Sequence, residues 1–214
     1  SYEGYEIIPR DVMQGYGAIA AEIIDSLESG EIFTHVFLQG GVGGLAAGII
    51  SYFWEFYETK RPTFVVVEPE QADCLFQSAI QGQAAKATGS VDSVMAGLAC
   101  GEASPLAWKF LQPTVDFFMT ITDEEAVASM RRLAVENGSD VPLVSGESAV
   151  AGLSALKRIA ESASLAADIG IDAKSRVLLV STEGATAPKV FQGLVGQSAE
   201  QVEARQKQWA ESKR

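Results

Sequence analysis

The segment Gln39-Gly40-Gly41-Val42-Gly43-Gly44-Leu45-Ala46-Ala47-Gly48 carries the strongest chemical signal in the chain. It follows the apolar run Thr34-His35-Val36-Phe37-Leu38 and precedes an apolar stretch of helical length, Leu45 to Trp54. A strand, a glycine turn and a helix start in that order make an anion site. Backbone N–H groups without covering side chains point at the ligand, and the helix dipole adds positive potential. Glycine also serves tight turns that need positive φ. Gly40, Gly41, Gly43 and Gly44 around the single Val42 exceed that need and point to a phosphate. One reading of the loop is a dinucleotide fold, since Gly41-Val42-Gly43-Gly44-Leu45-Ala46 fits G-x-G-x-x-A and Glu68 ends the next apolar run as a ribose ligand would. Glu68, however, stands 25 residues after Gly43 and is followed by Pro69, whereas the usual separation is about 20. A module that binds a phosphate ligand without turnover is a further alternative.

Several elements must position this loop. Apolar residues at helical spacing (Val12, Tyr16, Ile19, Ala20, Ile23, Ile24, Leu27) predict a helix over 10–29 that stops near Gly30. Strand 34–39 and helix 45–59 follow, and Thr63-Phe64-Val65-Val66-Val67-Glu68 reads as a second strand cut off by Pro69. Further strands are expected at 115–120 and 176–181, with helical stretches near 70–81, 91–98, 104–111, 123–136 and 146–163. The tail from Ser198 to Arg214 predicts a charged surface helix with Ser198 as its N-cap. Strands separated by helix-length segments, without short hairpins, predict an α/β fold: an open, mostly parallel sheet with helices on both faces, in a single domain over 1–214. Ligands in such sheets sit at the carboxyl ends of the strands. The segments after the four strands, Gly40–Gly44, Glu68–Glu70, Thr120–Asp123 and Ser181–Thr186, are therefore the expected rim of one pocket, with two small-residue turns, Met95–Glu102 and Val144–Ser148.

Composition narrows the partners. A chain of 214 residues that is 47% hydrophobic can bury a full core, and a net charge of −12 argues against nucleic acid or an anionic membrane surface. Cys74 and Cys100 share no metal-ligand spacing, and the lone His35 cannot build a histidine-rich site. Free thiols fit a reducing cytoplasm. No apolar run reaches the roughly 20 residues needed to cross a bilayer, and no signal peptide is visible. The start at Ser1 suggests a piece of something longer.

Gln14-Gly15-Tyr16-Gly17, the Gly40–Gly44 loop, Val67-Glu68-Pro69-Glu70, Gly97-Leu98-Ala99, Ser145-Gly146-Glu147 and Ser181-Thr182-Glu183-Gly184 occur in that order. In this the chain resembles the large domain of fold-type-II pyridoxal-phosphate enzymes, the tryptophan-synthase-β and threonine-dehydratase superfamily. Tyr2-Glu3-Gly4-Tyr5-Glu6, Ile8-Pro9, Ala72-Asp73-Cys74-Leu75 and Met95 to Glu102 extend the likeness to the diaminopropionate ammonia-lyase family. The resemblance implies pyridoxal 5′-phosphate, with its phosphate on the amides of Gly40, Gly41, Val42, Gly43 and Gly44. Ser181 or Thr182 would bond the pyridine nitrogen. A neutral hydroxyl there leaves the ring nitrogen largely unprotonated, which favours β-elimination. Gly97 would line the ring, and Glu102 or Ser145 would border the pocket. The implied reaction converts 2,3-diaminopropionate to pyruvate and ammonia in a cytoplasmic homodimer, with a serine or threonine dehydratase as the alternative. Serine-racemase-like relatives also suggest a divalent cation at Glu68, Ala72 and Asp73. The other reading makes Glu68 a strand-end acid and Asp73 a first-turn helix acid.

The Schiff-base lysine of these enzymes has no counterpart here. The lysines at 60, 86, 109, 157, 174, 189, 207 and 213 all lack the serine- or glycine-flanked strand-to-helix context. The catalytic lysine and the small domain are therefore expected upstream of this chain, which would not catalyse alone.

Overall fold

The computed structural model describes residues 4–28, 31–135 and 140–213. Four parallel strands form one sheet in the order β3-β2-β1-β4: β1 His35–Gln39, β2 Thr63–Pro69, β3 Phe117–Ile121 and β4 Val177–Leu179. Helices α1 (Ile7–Ser26), α2 (Gly44–Tyr57), α3 (Cys74–Gln81) and α4 (Pro105–Leu111) come before β3; α5 (Asp123–Leu133), α6 (Ala151–Ala160) and α7 (Ala163–Ile169) precede β4; α8 (Pro188–Val195) and α9 (Ala199–Ser212) end the chain. The open parallel α/β architecture is the one that the run-and-helix pattern predicts.

Alternation along the central strands assigns the two faces, because successive strand side chains point to opposite sides. Val36, Leu38, Phe64 and Val66 pack with α1, α2 and α4. Phe37, Val65 and Val67 pack with α5, α6 and α8 on the other face. Both faces are covered, so β1 and β2 read as continuous apolar runs rather than as alternating ones.

Three local expectations need correction. Residues 91–98 form no helix; only Ala96–Leu98 make a 3-10 turn. Asp123 takes the local donors instead, accepting from Ser93 Oγ at 2.6 Å and the Val94 amide at 3.0 Å, and Val91 has φ +62°. The predicted helix over 146–163 is shorter, and a separate helix, α7, begins where the Ser162 hydroxyl accepts from the Leu165 amide. The last strand spans three residues rather than six. Ser198 does cap α9, in a reciprocal arrangement with Gln201. Tyr2 and Glu3, and the expected helix ends at 29, 136 and 214, lie outside the described residues.

The chain runs from β1 outward to β2 and β3 and then returns to the other side of β1 for β4. The direction of winding therefore reverses between β1 and β4, where open α/β sheets hold their ligands.

Candidate active site

A cleft of about 460 Å³ opens at that reversal. The glycine loop supplies Gly41, Val42, Gly43, Gly44 and Leu45 to its wall. Gly43 takes φ +99° as the N-cap of α2, a conformation suited to glycine. As the first residues of a helix, Gly44, Leu45 and Ala46 have amides with no intrahelical acceptor. Gly40, Gly41 and Gly43 also have little room for a side chain. A Cβ on Gly41 would lie 3.2 Å from both Cys100 Sγ and the Gly97 carbonyl, and one on Gly43 would lie 2.8 Å from Leu111 Cδ1. Gly40 has a different place from its neighbours. Its amide donates to the Val67 carbonyl at 2.8 Å, extending the β1–β2 ladder, and it packs against Val66, Leu75 and Glu68 beneath the cleft.

Opposite the loop, Thr182 and Glu183 line the cleft, together with Gln39 from the end of β1 and Gly97, Leu98, Cys100 and Ser148. These groups form a connected chain. Gln39 Nε2 donates to the Val180 carbonyl at 3.0 Å and to Thr182 Oγ1 at 2.6 Å. The Glu183 carboxylate accepts from the Ser148 amide at 2.7 Å, and Ser148 Oγ accepts from the Gly97 amide at 3.0 Å. Ser181 is not among the residues lining the cleft and shares a 2.9 Å hydrogen bond with the buried Ser145 hydroxyl. Neither Ser145 nor Glu102 lines the cleft, and the backbone of Glu102 pairs with that of Lys86 in an isolated antiparallel β-bridge.

Of the six rim segments expected from the sequence, four meet here and two do not. Thr122 and Asp123 line a separate pocket of about 210 Å³ with Glu70. Glu68 is sealed behind the glycine loop at 0% exposure. Its carboxylate accepts from the Leu75 amide at 2.8 Å and the Phe76 amide at 2.7 Å, at the start of α3. Burial pushes this carboxyl up to about 8, and the nearby Asp73 adds to the rise, against the amide and Cys74 donors. Burial also raises the thiols of Cys74 and Cys100, the latter opposed by a hydrogen bond from the Val42 amide. Asp73 accepts from the Thr88 amide, the Thr88 hydroxyl and Gln77 at 2.7–2.9 Å. Burial raises its carboxyl, but these bonds outweigh it and hold Asp73 below its usual value. Both acids suggested as cation ligands thus spend their oxygens on protein donors. Among the described residues no group of three or more His, Cys, Asp or Glu is placed to hold a metal ion.

Sequence reasoning gave no role to Gln39, nor to the α1 side of the cleft, where Tyr5, Ile8, Pro9, Val12, Met13 and Tyr16 form an apolar wall. The amphipathic spacing of α1 was a signal for that wall. Gln39, a polar residue ending an otherwise apolar buried run, was a signal too. No lysine lines the cleft among the described residues, and all eight lysines are exposed. No helix among the described residues is long and apolar enough to cross a membrane.

Comparison with known proteins gives the same direction. The family model described as "Pyridoxal-phosphate dependent enzyme" matches residues 4–183. Diaminopropionate ammonia-lyase of Salmonella typhimurium is 38% identical over 209 residues, covering 93% of this chain and 52% of the relative. The crystal structure of the holo diaminopropionate ammonia-lyase of Escherichia coli superposes with a TM-score of 0.84 at 36% identity, over 91% of this chain and 50% of that one. The same enzyme in complex with an aminoacrylate–pyridoxal-phosphate azomethine intermediate gives 0.82 at 36% identity and the same coverage. The chain spans about half the length of these relatives. The dinucleotide reading is thereby overturned, and the geometry supplies the reason: Glu68 faces two backbone amides inside the protein, where no ribose hydroxyl can meet it.

Proposed function

The chain belongs to the pyridoxal-phosphate-dependent enzyme family, and we propose that its cleft holds pyridoxal 5′-phosphate for the β-elimination of 2,3-diaminopropionate to pyruvate and ammonia. The observation that carries this reading is the meeting, in the lining of one cleft, of a glycine-opened helix start and Thr182. The glycine loop suits the dianionic end of the cofactor because side chains are sterically disfavoured at Gly41 and Gly43, just before the amides of α2 begin. The amides of Gly41, Gly43 and Gly44 are the holders; the Val42 amide already donates to the Cys100 sulfur, and Gly40 supports the loop from below through its bond to Val67.

Bound there, the cofactor supplies an electron sink for negative charge at the substrate's α-carbon. Every other task falls to protein groups. Thr182 offers the ring nitrogen a neutral hydroxyl rather than a carboxylate, so the ring is held without being protonated. Gly97, fixed by the hydrogen bond its N–H donates to Ser148 Oγ, leaves space beside the ring. Tyr5, Ile8 and Val12 present an apolar wall that helps exclude water from the reacting carbon. The lysine that anchors the cofactor and moves the α-proton lies, on this reading, outside residues 1–214, since the lysines of this chain are all exposed. The reading further takes the enzyme as a cytoplasmic homodimer, the habit that the resemblance implies.

The test is a visible absorption spectrum of the complete gene product purified with pyridoxal phosphate, followed by product assays on 2,3-diaminopropionate, serine and threonine. Bound cofactor and fastest pyruvate release from 2,3-diaminopropionate are expected. A protein that binds no pyridoxal phosphate sinks the proposal, and faster turnover of serine or threonine reassigns it to a dehydratase.

A further inference from the structure

Resting on the reading of this cleft as a pyridoxal-phosphate site, we propose that Gln39 is a positioning residue that sets the Thr182 hydroxyl as a hydrogen-bond donor toward the cofactor's ring nitrogen. Gln39 ends β1 at 5% exposure, and its side chain reaches across the winding reversal to the segment after β4. An amide side chain has a donating end and an accepting end, and its partners decide which faces where. The Val180 carbonyl can only accept, so the end of Gln39 that approaches it at 3.0 Å is the nitrogen. That nitrogen has two hydrogens. One goes to Val180, and the other meets Thr182 Oγ1 at 2.6 Å. Thr182 must therefore accept from Gln39, which leaves its own hydrogen to point elsewhere.

The direction of that hydrogen matters. An unprotonated pyridine nitrogen is an acceptor only, and a hydroxyl serves it only as donor. A serine or threonine side chain alone is ambivalent, because its hydrogen rotates to suit whatever is near. Ser181 illustrates the ambivalence: in its bond with Ser145 either hydroxyl can be the donor. Thr182 escapes it because its acceptor role is already taken by a group that cannot accept. Gln39 also ties the end of β1 to the stretch just past the short strand β4, so it fixes the position of the hydroxyl as well as its polarity.

The test uses the full-length enzyme loaded with pyridoxal phosphate labelled with 15N at the ring nitrogen, whose resonance reports directly on hydrogen bonding there. In the parent enzyme the resonance is expected to be shifted toward shielding relative to an unbonded pyridine. Gln39→Leu frees the hydroxyl to rotate and should move the resonance part of the way back, with cofactor binding weakened about fivefold, the scale of one neutral hydrogen bond. Gln39→Glu keeps the shape but offers an acceptor, which draws the Thr182 hydrogen away from the ring and should move the resonance further than Gln39→Leu does. A residue with a merely structural role would give the reverse order or equal shifts. An unchanged resonance in Gln39→Leu overturns the proposal whatever happens to Gln39→Glu, and so does a Gln39→Glu shift no larger than that of Gln39→Leu. If the parent enzyme takes up no labelled cofactor, the failure lies with the proposed function rather than with Gln39.

Discussion

On one side of the winding reversal, all five residues of β1 and six of the seven of β2 are buried, and the glycine loop at their ends rests on Val66, Leu75, Leu111 and Glu68. On the other side, β4 has three residues, none of them fully buried, and Ser181 and Thr182 beyond it are exposed. On the proposed reading, the cleft joins a phosphate side shaped by sterics inside the core to a ring side held by a few hydrogen bonds at a sheet edge. The first kind of site is constrained at Gly40, Gly41 and Gly43, where an added carbon would press into the core. The second is adjustable, and its precision depends on individual polar partners such as Gln39, Ser148 and Glu183.

The largest expected effect breaks the sealed side. Gly43→Ala forces a side chain into φ +99° and 2.8 Å from Leu111 Cδ1. The left-handed backbone costs about 1–2 kcal/mol and overpacking about 1–3 kcal/mol. Urea denaturation should therefore report a loss of about 2–5 kcal/mol, with cofactor binding abolished. A variant of parental stability that still binds pyridoxal phosphate would remove the steric account of the loop.

Glu68 probes the same side through its proton. Its carboxyl is raised from the ordinary 4.5 to about 8 by burial, so the folded protein keeps a proton that the unfolded chain releases. Stability from this group is full below about 4.5 and falls as pH rises toward 8, because over that window the native state binds more protons than the unfolded one. One proton held across one pH unit is worth about 1.4 kcal/mol, so the decline amounts to a few kcal/mol. Glu68→Gln cannot titrate and should flatten that part of the profile of unfolding free energy against pH. Parallel profiles for parent and variant would mean that Glu68 is ionised in the fold, held as an anion by the Leu75 and Phe76 amides.

The same contrast explains how much the sequence made legible. Core strands flanked by a glycine loop announce themselves, because burial on both faces demands apolar runs and close backbone approach demands glycine. Val36, Phe37, Leu38 and Gly43 were therefore readable one by one. The ring side depends on which way a side chain turns, and sequence spacing does not encode that. Ser181 and Thr182 are adjacent and chemically alike, yet one faces Ser145 and the other the cleft. Glu68 looked like a ligand because strand ends carry ligands in this kind of sheet, but the start of α3 claimed it. The helix expected at 91–98 failed for a similar reason: Asp123, remote in sequence, takes the Val94 amide and the Ser93 hydroxyl.

On the ring side the effects should be smaller and should appear in binding rather than in folding. Thr182→Val removes the hydroxyl facing the cleft, and the loss of one neutral hydrogen bond, about 1 kcal/mol, should weaken cofactor affinity about fivefold while the melting temperature changes little. Ser181→Ala removes a hydroxyl that bonds only Ser145 among the described residues, so cofactor titration should match the parent. Equal losses in the two variants would mean that the two hydroxyls exchange places, and the division of labour between them would be gone.

The smallest effect is the sharpest test of the comparison, because it concerns one residue type, glycine, once inside the loop after β1 and once in the segment after β4. Gly184 belongs to the same conspicuous motif as Thr182, yet a Cβ there would find only Val144 Cγ1, at an ordinary 3.9 Å, and its φ lies outside the left-handed region. A methyl group at this position meets neither a steric nor a conformational barrier, so Gly184→Ala should change stability by no more than about 0.5 kcal/mol. It also limits the freedom of the unfolded chain, which acts in the stabilising direction. Thermal melts of Gly184→Ala beside Gly43→Ala would show whether a glycine near the cleft is strict only where the core closes on it. A Gly184→Ala variant as damaged as Gly43→Ala would mean that the ring side is packed as tightly as the phosphate side, against the open space that surrounds it here.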